Sequence, residues 1–258
     1  MKVNTIFNED CLKTMARMDD NFIDLVVTSP PYDNLRTYKG YTFHFKEVAD
    51  SLFRVMKPGG VIVWIVNDAT INGSETGTSF RQALYFKEIG FKLHDTMIWN
   101  KGAFTATGSL KVRYASVFDF MFILSLGKPK TFNPIKDRRN KHPGKPKAGT
   151  IRSADGSLRR MSNEGKIRGE YSQRYNVWEQ SAVMDRCRQD NHPAPFPLQL
   201  AIDHIISWSN EGDLVYDPFL GSGTTCYAAK ILGRKYLGSE ISSEYFIMAK
   251  NRVKKGDK

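Results

Sequence analysis

The residues best suited to chemistry are Ser29-Pro30-Pro31-Tyr32, which follow the apolar run Phe22–Thr28 without a break. That run is apolar enough for a strand buried on both faces. Two consecutive prolines at its end remove two backbone donors, so a regular ladder cannot continue through them. They leave a stiff turn with outward-pointing carbonyls, a hydroxyl on one side and an aromatic ring on the other. A planar group bearing an amine can stack on Tyr32 while its N–H bonds reach the Ser29 hydroxyl and the Pro30 carbonyl. A rigid turn with no chemistry is the plainer alternative for the same residues.

The second stretch is Leu214-Val-Tyr-Asp-Pro-Phe-Leu-Gly-Ser-Gly-Thr-Thr225. A short apolar run, a turn through Asp217 and Pro218, the glycines Gly221 and Gly223 and a helical apolar pattern follow one another. Strand, glycine turn and helix form the layout of a nucleotide-type pocket, in which backbone approaches the ligand and a helix N-terminus presents free N–H groups. The stretch matches neither the G-x-G-x-x-G fingerprint nor a phosphate loop ending in Gly-Lys-Ser/Thr. Nothing in it grips a pyrophosphate, so an adenosine ligand without phosphates fits better; a tight turn alone is the competing reading. Further on, Tyr236-Leu-Gly-Ser-Glu240 reads as another strand ending in an acid able to accept hydrogen bonds from both ribose hydroxyls.

Such a unit usually opens an α/β chain, whereas here it lies near the C-terminal end of the sequence. Val3-Asn-Thr-Ile-Phe7 followed by Asn8-Glu9-Asp10 reads as the next strand, again ending in an acid. The expectation is therefore a circularly permuted α/β sheet whose pocket is assembled from both ends. Cys11–Met18 has helical spacing, with Leu12, Met15 and Met18 on one side. Asp33–Phe45, with Arg36, Lys39 and several aromatics, is expected to be a mobile loop over the site, and Asn72–Ser79 a flexible polar stretch. Leu52–Gly60 precedes a strand at Val61–Val66. A helix at Phe80–Ile89 is closed by Gly90, and strands around Leu93–Trp99 and Val117–Ser125 complete the sheet. A helix at Leu198–Trp208 turns Leu198, Ala201, Ile202, Ile205 and Ile206 inward. The last helix, after Ser242, has Glu244 in its first turn and Arg252, Lys254 and Lys255 in its last, matching the helix dipole.

The formal charge is +11, and its location is informative. Between Lys128 and Arg174 stand fourteen Lys or Arg against four Asp or Glu, while the remainder is nearly balanced. Hydrophobic periodicity vanishes from Gly127 to Gln173, so a packed core is not expected there. A basic excess confined to one irregular insertion favours a polyanionic partner over a merely solvated face. No apolar run reaches the length of a membrane span. Acids stand where a signal peptide would have its hydrophobic core, which reads as cytoplasmic. Three widely spaced cysteines and five histidines show no disulfide or metal spacing, and neither is expected.

Thr28-Ser-Pro-Pro-Tyr32 after a buried strand, Leu52-Phe-Arg-Val-Met-Lys-Pro-Gly-Gly60 before another, His192-Pro-Ala-Pro-Phe-Pro197 before a helix and Asp217-Pro-Phe-Leu-Gly-Ser-Gly-Thr-Thr225 resemble, in this order, the motifs of the amino-directed DNA methyltransferases of the permuted β class. The resemblance covers nearly the whole chain except the basic insertion. It implies a Rossmann-like S-adenosylmethionine-dependent methyltransferase sheet, circularly permuted, with a basic target-recognition insertion. The implied divisions are a catalytic half at 1–100, remaining strands plus the insertion at 101–190, and a cofactor-binding half at 191–258.

By the same resemblance, Ser29, Pro30, Pro31 and Tyr32 form the catalytic turn. Phe219, Gly221, Gly223 and Thr225 shape the methionine pocket of S-adenosylmethionine, Asp217, Pro218, Ser222 and Thr224 of the same loop are further cofactor-binding residues, and Glu240 takes the ribose hydroxyls. Asp10 lies near the adenine amine, and Phe196 and Pro197 flank the methionine end, although relatives often place lysine where this chain has Phe196. The implied partner is double-stranded DNA, and the residues expected to contact it are Arg36 and Lys39 of the loop after the catalytic turn and, from the location of the charge, Arg138, Arg139 and Lys141 of the basic insertion. A cognate restriction endonuclease and a monomeric or homodimeric state stay open. Serine at the head of the motif accompanies transfer to cytosine N4 in that family, and Asp or Asn accompanies adenine N6. The expectation is N4-cytosine methylation of a flipped base, with N6-adenine methylation, RNA methylation and an inactive DNA-binding module as alternatives.

Overall fold

The computed structural model describes residues 1–31, 43–102, 110–181 and 197–255, which fall into two compact units, Met1–Asn133 with Asn176–Lys258, and Pro134–Tyr175. In chain order the strands are β1 (Thr5–Phe7), β2 (Ile23–Thr28), β3 (Met56–Val66), β4 (Thr70–Ile71), β5 (Ser74–Glu75), β6 (Lys92–Asn100), β7 (Phe118–Ser125), β8 (Arg138–Arg139), β9 (Thr150–Arg152), β10 (Leu158–Arg160), β11 (Tyr171–Ser172), β12 (Val177–Glu179), β13 (Leu214–Asp217) and β14 (Lys235–Ser239). The helices are α1 (Cys11–Ala16), α2 (Phe45–Val55), α3 (Thr78–Glu88), α4 (Leu198–Trp208), α5 (Thr224–Ile231) and α6 (Ser243–Lys255).

The larger unit is built on one eight-stranded sheet in the order β1-β14-β13-β2-β3-β7-β6-β12. The first five of these run parallel, β7 is antiparallel to both its neighbours, and β12 joins β6 in parallel. Strands from the two ends of the sequence thus lie side by side: β1 and β14 share register Thr5↔Leu237 to Phe7↔Ser239. The central strands are near-continuous aliphatic runs because both faces are covered; Leu25, Val26, Val27, Ile62, Val63 and Ile65 have no exposed surface. Trp64, fully buried, finds its necessary acceptor in Gln82 of α3, at 2.8 Å.

Several expectations need correction. β3 begins at Met56 rather than Val61, because its register against β2 jumps from Ile23↔Met56 to Leu25↔Val61, and the residues around Pro58 bulge out where proline cannot donate. Phe45 is no loop residue: it opens α2, and its ring packs edge-on against Phe86 and Tyr85, both at 5.5 Å. Asn72–Ser79 carries the turn and second strand of the β4–β5 hairpin and the start of α3, where Asp68 accepts from the Ser79 amide at 2.8 Å. The inner face of α4 is wider than an apolar stripe. Leu198, Ile202 and Ile206 are only half-buried, while Leu200, Asp203, His204, Ser207 and Trp208 are buried. Asp203 accepts from Gln180 and Gln199, the Ser207 hydroxyl donates to the Asp203 carbonyl at 2.7 Å, and the His204 ring stacks on Trp178 at 4.5 Å.

The smaller unit has no core: not one residue between Pro134 and Tyr175 is buried. Its order comes from two antiparallel pairs, β8 with β11 and β9 with β10, and from turns. Among the described residues, no helix is long and apolar enough to cross a membrane.

Candidate active site

β1, β14, β13 and β2 end together at one edge of the sheet; Asn8, Glu240 and Ser29 follow β1, β14 and β2 there, and β13 ends in Asp217. Ligands of open α/β sheets bind at this carboxyl edge, where strand connections diverge to opposite sides. Here the edge carries Asp10, Glu240, Asp217 and Ser29.

β13 and β2 are joined by side-chain hydrogen bonds as well as by their ladder. The buried Thr28 hydroxyl donates to Asp217 Oδ1 at 2.7 Å, and the Phe219 amide donates to the same oxygen at 3.0 Å. One turn into α5, the buried Thr225 hydroxyl donates to the Val27 carbonyl at 3.1 Å. The strand leading into Ser29, Pro30 and Pro31 is thus pinned to the turn leading into Gly221. Burial pushes the Asp217 carboxyl up to about 6, against the hydrogen bonds from Thr28 and the Phe219 amide, which favour its charged form.

Glu240 follows β14 directly and is about nine-tenths buried. Its Oε2 accepts from the Gly221 amide at 2.8 Å and its Oε1 from the Ser242 amide at 2.7 Å. Burial raises its carboxyl above the usual range, and these two backbone donors oppose that. Each oxygen keeps a further lone pair, so the carboxylate can still receive two hydroxyls. The Asn8 side chain donates to the Glu240 carbonyl at 2.8 Å, holding the loop after β1 against the end of β14.

Gly221 and Gly223 serve different purposes. Gly221 has φ +54 and presents its amide to Glu240. Gly223 has φ +88, and a Cβ on it would stand 2.8 Å from Ala249 Cα and 2.9 Å from Ala249 Cβ. That glycine is required for close packing of the turn on α6. On the same side, Arg252 donates to the hydroxyls of Thr224 and Ser222, so it braces the start of α5 as well as complementing its own helix end.

The other candidate residues are placed as follows. Asp10 caps α1, accepting from the Leu12 amide at 2.7 Å. The Phe219 ring lies edge-on to Phe43 at 5.3 Å and to Trp64 at 6.3 Å, anchoring the turn in an aromatic cluster. Pro218 is buried beneath the turn, and Pro197 is the N-cap of α4. Pro30 is buried, and Ser29 and Pro31 are half-buried. Tyr32, Arg36, Lys39 and Phe196 lie outside the described residues. Cys11 and Cys226 are buried thiols whose ionisation burial pushes far up, so neither is an activated nucleophile. Asn8, Thr28 and Arg252 as bracing residues escaped the sequence reading; only the acid-rich end of the first strand and the threonine before the prolines pointed toward them.

In the smaller unit, the Arg138 guanidinium sits 4.2 Å from the Tyr175 ring centroid and donates through Nε to the Gln173 carbonyl. Arg139 lies 4.0 Å from Glu170, and Arg174 pairs with Asp137, whose carboxyl it holds below the usual range. Lys141 is exposed.

A mixed sheet whose parallel strands end at a glycine turn and a buried acid has the Rossmann-like arrangement found in methyltransferase structures. Residues 23–251 match the family described as DNA methylase, which takes in N6- and N4-directed enzymes, and the chain belongs to this family of S-adenosylmethionine-dependent DNA methyltransferases. It is 52% identical over 242 residues to the orphan methyltransferase M.BamHII of Bacillus amyloliquefaciens, covering 91% of this chain and 90% of that one. It is 30% identical over 256 residues to the type II methyltransferase M.HpaI of Haemophilus parainfluenzae, covering 95% and 72% respectively. Among solved structures, the cytosine-N4-specific PvuII DNA methyltransferase superposes with a TM-score of 0.69 over 98% of this chain and 86% of that one, at 20% identity.

Proposed function

We propose that this enzyme transfers the methyl group of S-adenosylmethionine to the exocyclic N4 amine of a cytosine flipped out of duplex DNA. The observation that carries the reading is the Thr28–Asp217 contact of 2.7 Å, which brings the end of the Ser29-Pro30-Pro31 strand against the turn of Asp217–Gly223. The residues at the edge fit the cofactor. Glu240 is a largely buried carboxylate with one lone pair left on each oxygen for the ribose hydroxyls, and Gly221 leaves the mouth of the turn without a side chain. Asp10 is assigned to the adenine amine, and Phe219, Thr225, Phe196 and Pro197 to the surroundings of the methionine group. The interleaving of β1 and β2 with β13 and β14 supports the circularly permuted order.

S-adenosylmethionine, when bound, supplies a methyl group activated on a sulfonium. The exocyclic amine is conjugated with its ring and is a poor nucleophile. The Ser29 hydroxyl and the Pro30 carbonyl accept its two N–H bonds and draw the nitrogen toward tetrahedral geometry, freeing its lone pair. Tyr32 stacks on the base and offsets part of the few kcal/mol that flipping costs. Catalysis on this reading is positioning and preorganised dipoles, with no covalent intermediate. Serine at position 29 and the similarity to the PvuII enzyme support cytosine as the target. The basic unit Pro134–Tyr175 is assigned to the DNA, as the target-recognition part.

The test is transfer of isotopically labelled methyl to duplex DNA and, separately, to RNA, followed by digestion to nucleosides. Label in 4-methylcytosine is expected. Label in 6-methyladenine would move the target to adenine, and label in RNA alone would overturn the DNA reading.

A further inference from the structure

Within Pro134–Tyr175, the strands β9 and β10 form a two-stranded ribbon whose six residues are all exposed, although Ile151 and Leu158 are among them. Its register is fixed. The pairs are Arg160↔Thr150, Arg159↔Ile151 and Arg152↔Leu158, and the Met161 amide extends the ladder to the Gly149 carbonyl. The tip is closed by a bond from the Ser153 amide to the Ser157 carbonyl. Asp155 accepts from the Ser157 amide at 2.9 Å and from its hydroxyl at 2.7 Å. A ribbon with two open faces gains little from burial and is at best marginally stable alone, yet this one is stiffened at both ends. Its only acid, Asp155, is engaged in the tip, while Arg152, Arg159 and Arg160 project from its strands.

Side chains alternate across a strand, so Arg159 and Ile151 share one face, and Thr150, Arg160, Arg152 and Leu158 share the other. The arginines differ in how they are held. Arg152 donates to the Gly156 carbonyl at 3.1 Å, and Arg160 lies 3.7 Å from Glu164. Among the described residues, the Arg159 guanidinium makes no hydrogen bond or ion pair, and an aliphatic side chain stands directly opposite it.

Resting on the methyltransferase reading above, we propose that this ribbon enters the major groove of the substrate DNA and that Arg159 is a base-reading residue. The major groove admits a two-stranded ribbon, and an arginine fork matches guanine O6 and N7 with two parallel hydrogen bonds. Ile151 beside it supplies an apolar contact of the kind a thymine methyl accepts. Arg152 and Arg160, on the opposite face, meet the phosphates of the groove wall. The charge of the ribbon fits a polyanion, and its unshared guanidinium faces the same way as its one aliphatic neighbour, as a base edge requires.

Unmethylated genomic DNA is treated with the full chain and S-adenosylmethionine, and methylated positions are mapped by single-molecule sequencing. Arg159→Lys keeps the charge but loses the fork. It is expected to lower discrimination at one base pair of the site at least tenfold, with the salt dependence of DNA affinity unchanged. Arg152→Ala is expected to keep the site and reduce the log–log salt slope by about one. A wild-type chain that methylates a defined site while Arg159→Lys and Arg159→Ala keep the same site and discrimination overturns the ribbon assignment alone. A wild-type chain that transfers no methyl to DNA overturns the function itself, and this assignment with it.

Discussion

Thr28 and Asp217 join two neighbouring strands at their carboxyl ends through a single hydrogen bond of 2.7 Å between buried groups. One strand leads into Ser29-Pro30-Pro31 and the other into the glycine turn, so this bond ties together the two stretches that the proposed function assigns to the amine and to the cofactor. Thr28→Val keeps the shape and removes the donor. Hydrogen bonds to charged groups contribute about 1.5–3 kcal/mol, so the urea midpoint should drop correspondingly with an unchanged slope. An unaltered midpoint would show that the contact does not brace the strands.

The same carboxylate gives stability a defined pH dependence. Burial raises Asp217 to about 6 in the folded protein, against an ordinary value of 3.8. Between those values the folded chain holds a proton that the unfolded chain has lost. Stability should therefore fall as pH rises from about 4 to 6, by about 3 kcal/mol at most, and level off above. Other carboxylates, such as Glu9 and Asp137, are lowered and act in the opposite sense at lower pH. The comparison is thus between wild type and Asp217→Asn: the difference between their unfolding free energies should slope across pH 4–6 and be flat from 7 to 8. Parallel curves throughout would contradict the raised value.

Much of this edge was legible in the sequence because its signals are local. An apolar run, then Asp217-Pro218, then glycines, then helical spacing can only be strand, turn and helix, and β13, α5 and β14 lie where that reading puts them. The bonds that make the edge a site are not local: Thr28 to Asp217, Asn8 to Glu240 and Arg252 to Thr224 join residues far apart in sequence. The inner face of α4 was misjudged because Asp203 and His204 are buried against Gln180 and Trp178 of a distant segment and Ser207 bonds back to its own helix, which a polarity pattern cannot foresee. The hairpins of the smaller unit left no pattern at all. A strand exposed on both faces has no reason to alternate, and β9 and β10 are such strands.

The two glycines of the turn should separate folding from binding. Gly223→Ala places a Cβ against Ala249 in a left-handed backbone conformation, so it should destabilise the fold by roughly 1–3 kcal/mol. Gly221 is left-handed too, so Gly221→Leu carries the same backbone cost, but in addition it puts a side chain at the mouth of the proposed cofactor pocket. Calorimetry should show lost S-adenosylmethionine binding by Gly221→Leu, with its circular dichroism spectrum retained. Normal cofactor affinity in that variant would remove Gly221 from the site.

Because the basic excess is concentrated between Lys128 and Arg174, DNA affinity should fall steeply with salt, with a log–log slope set by the number of phosphates neutralised. Replacing Arg138, Arg139 and Lys141 with Ala should flatten the slope and leave cofactor affinity intact. Lys141 should account for the largest share of the change. Arg138 already stacks on Tyr175, and Arg139 faces Glu170. A slope that does not move would make these three a solvated face and place the DNA elsewhere.

Ser29 separates a structural role from a chemical one. Pro30 and Pro31 set the turn and the Thr28–Asp217 bond holds the strand beneath it, so Ser29→Ala should fold normally and bind S-adenosylmethionine with wild-type affinity. If the hydroxyl accepts a bond from the target amine as the nitrogen becomes tetrahedral, its loss should slow single-turnover methyl transfer by roughly tenfold to a thousandfold, as for other preorganised dipoles. Tyr32 should behave differently, because a stacked ring holds the flipped base without touching the reacting nitrogen. Tyr32→Ala should weaken retention of that base by about 1–3 kcal/mol, and Tyr32→Phe, which keeps the ring, should be mild. Rapid-quench measurement on one substrate duplex distinguishes these cases. A wild-type rate in Ser29→Ala would leave the Pro30 carbonyl alone to orient the amine.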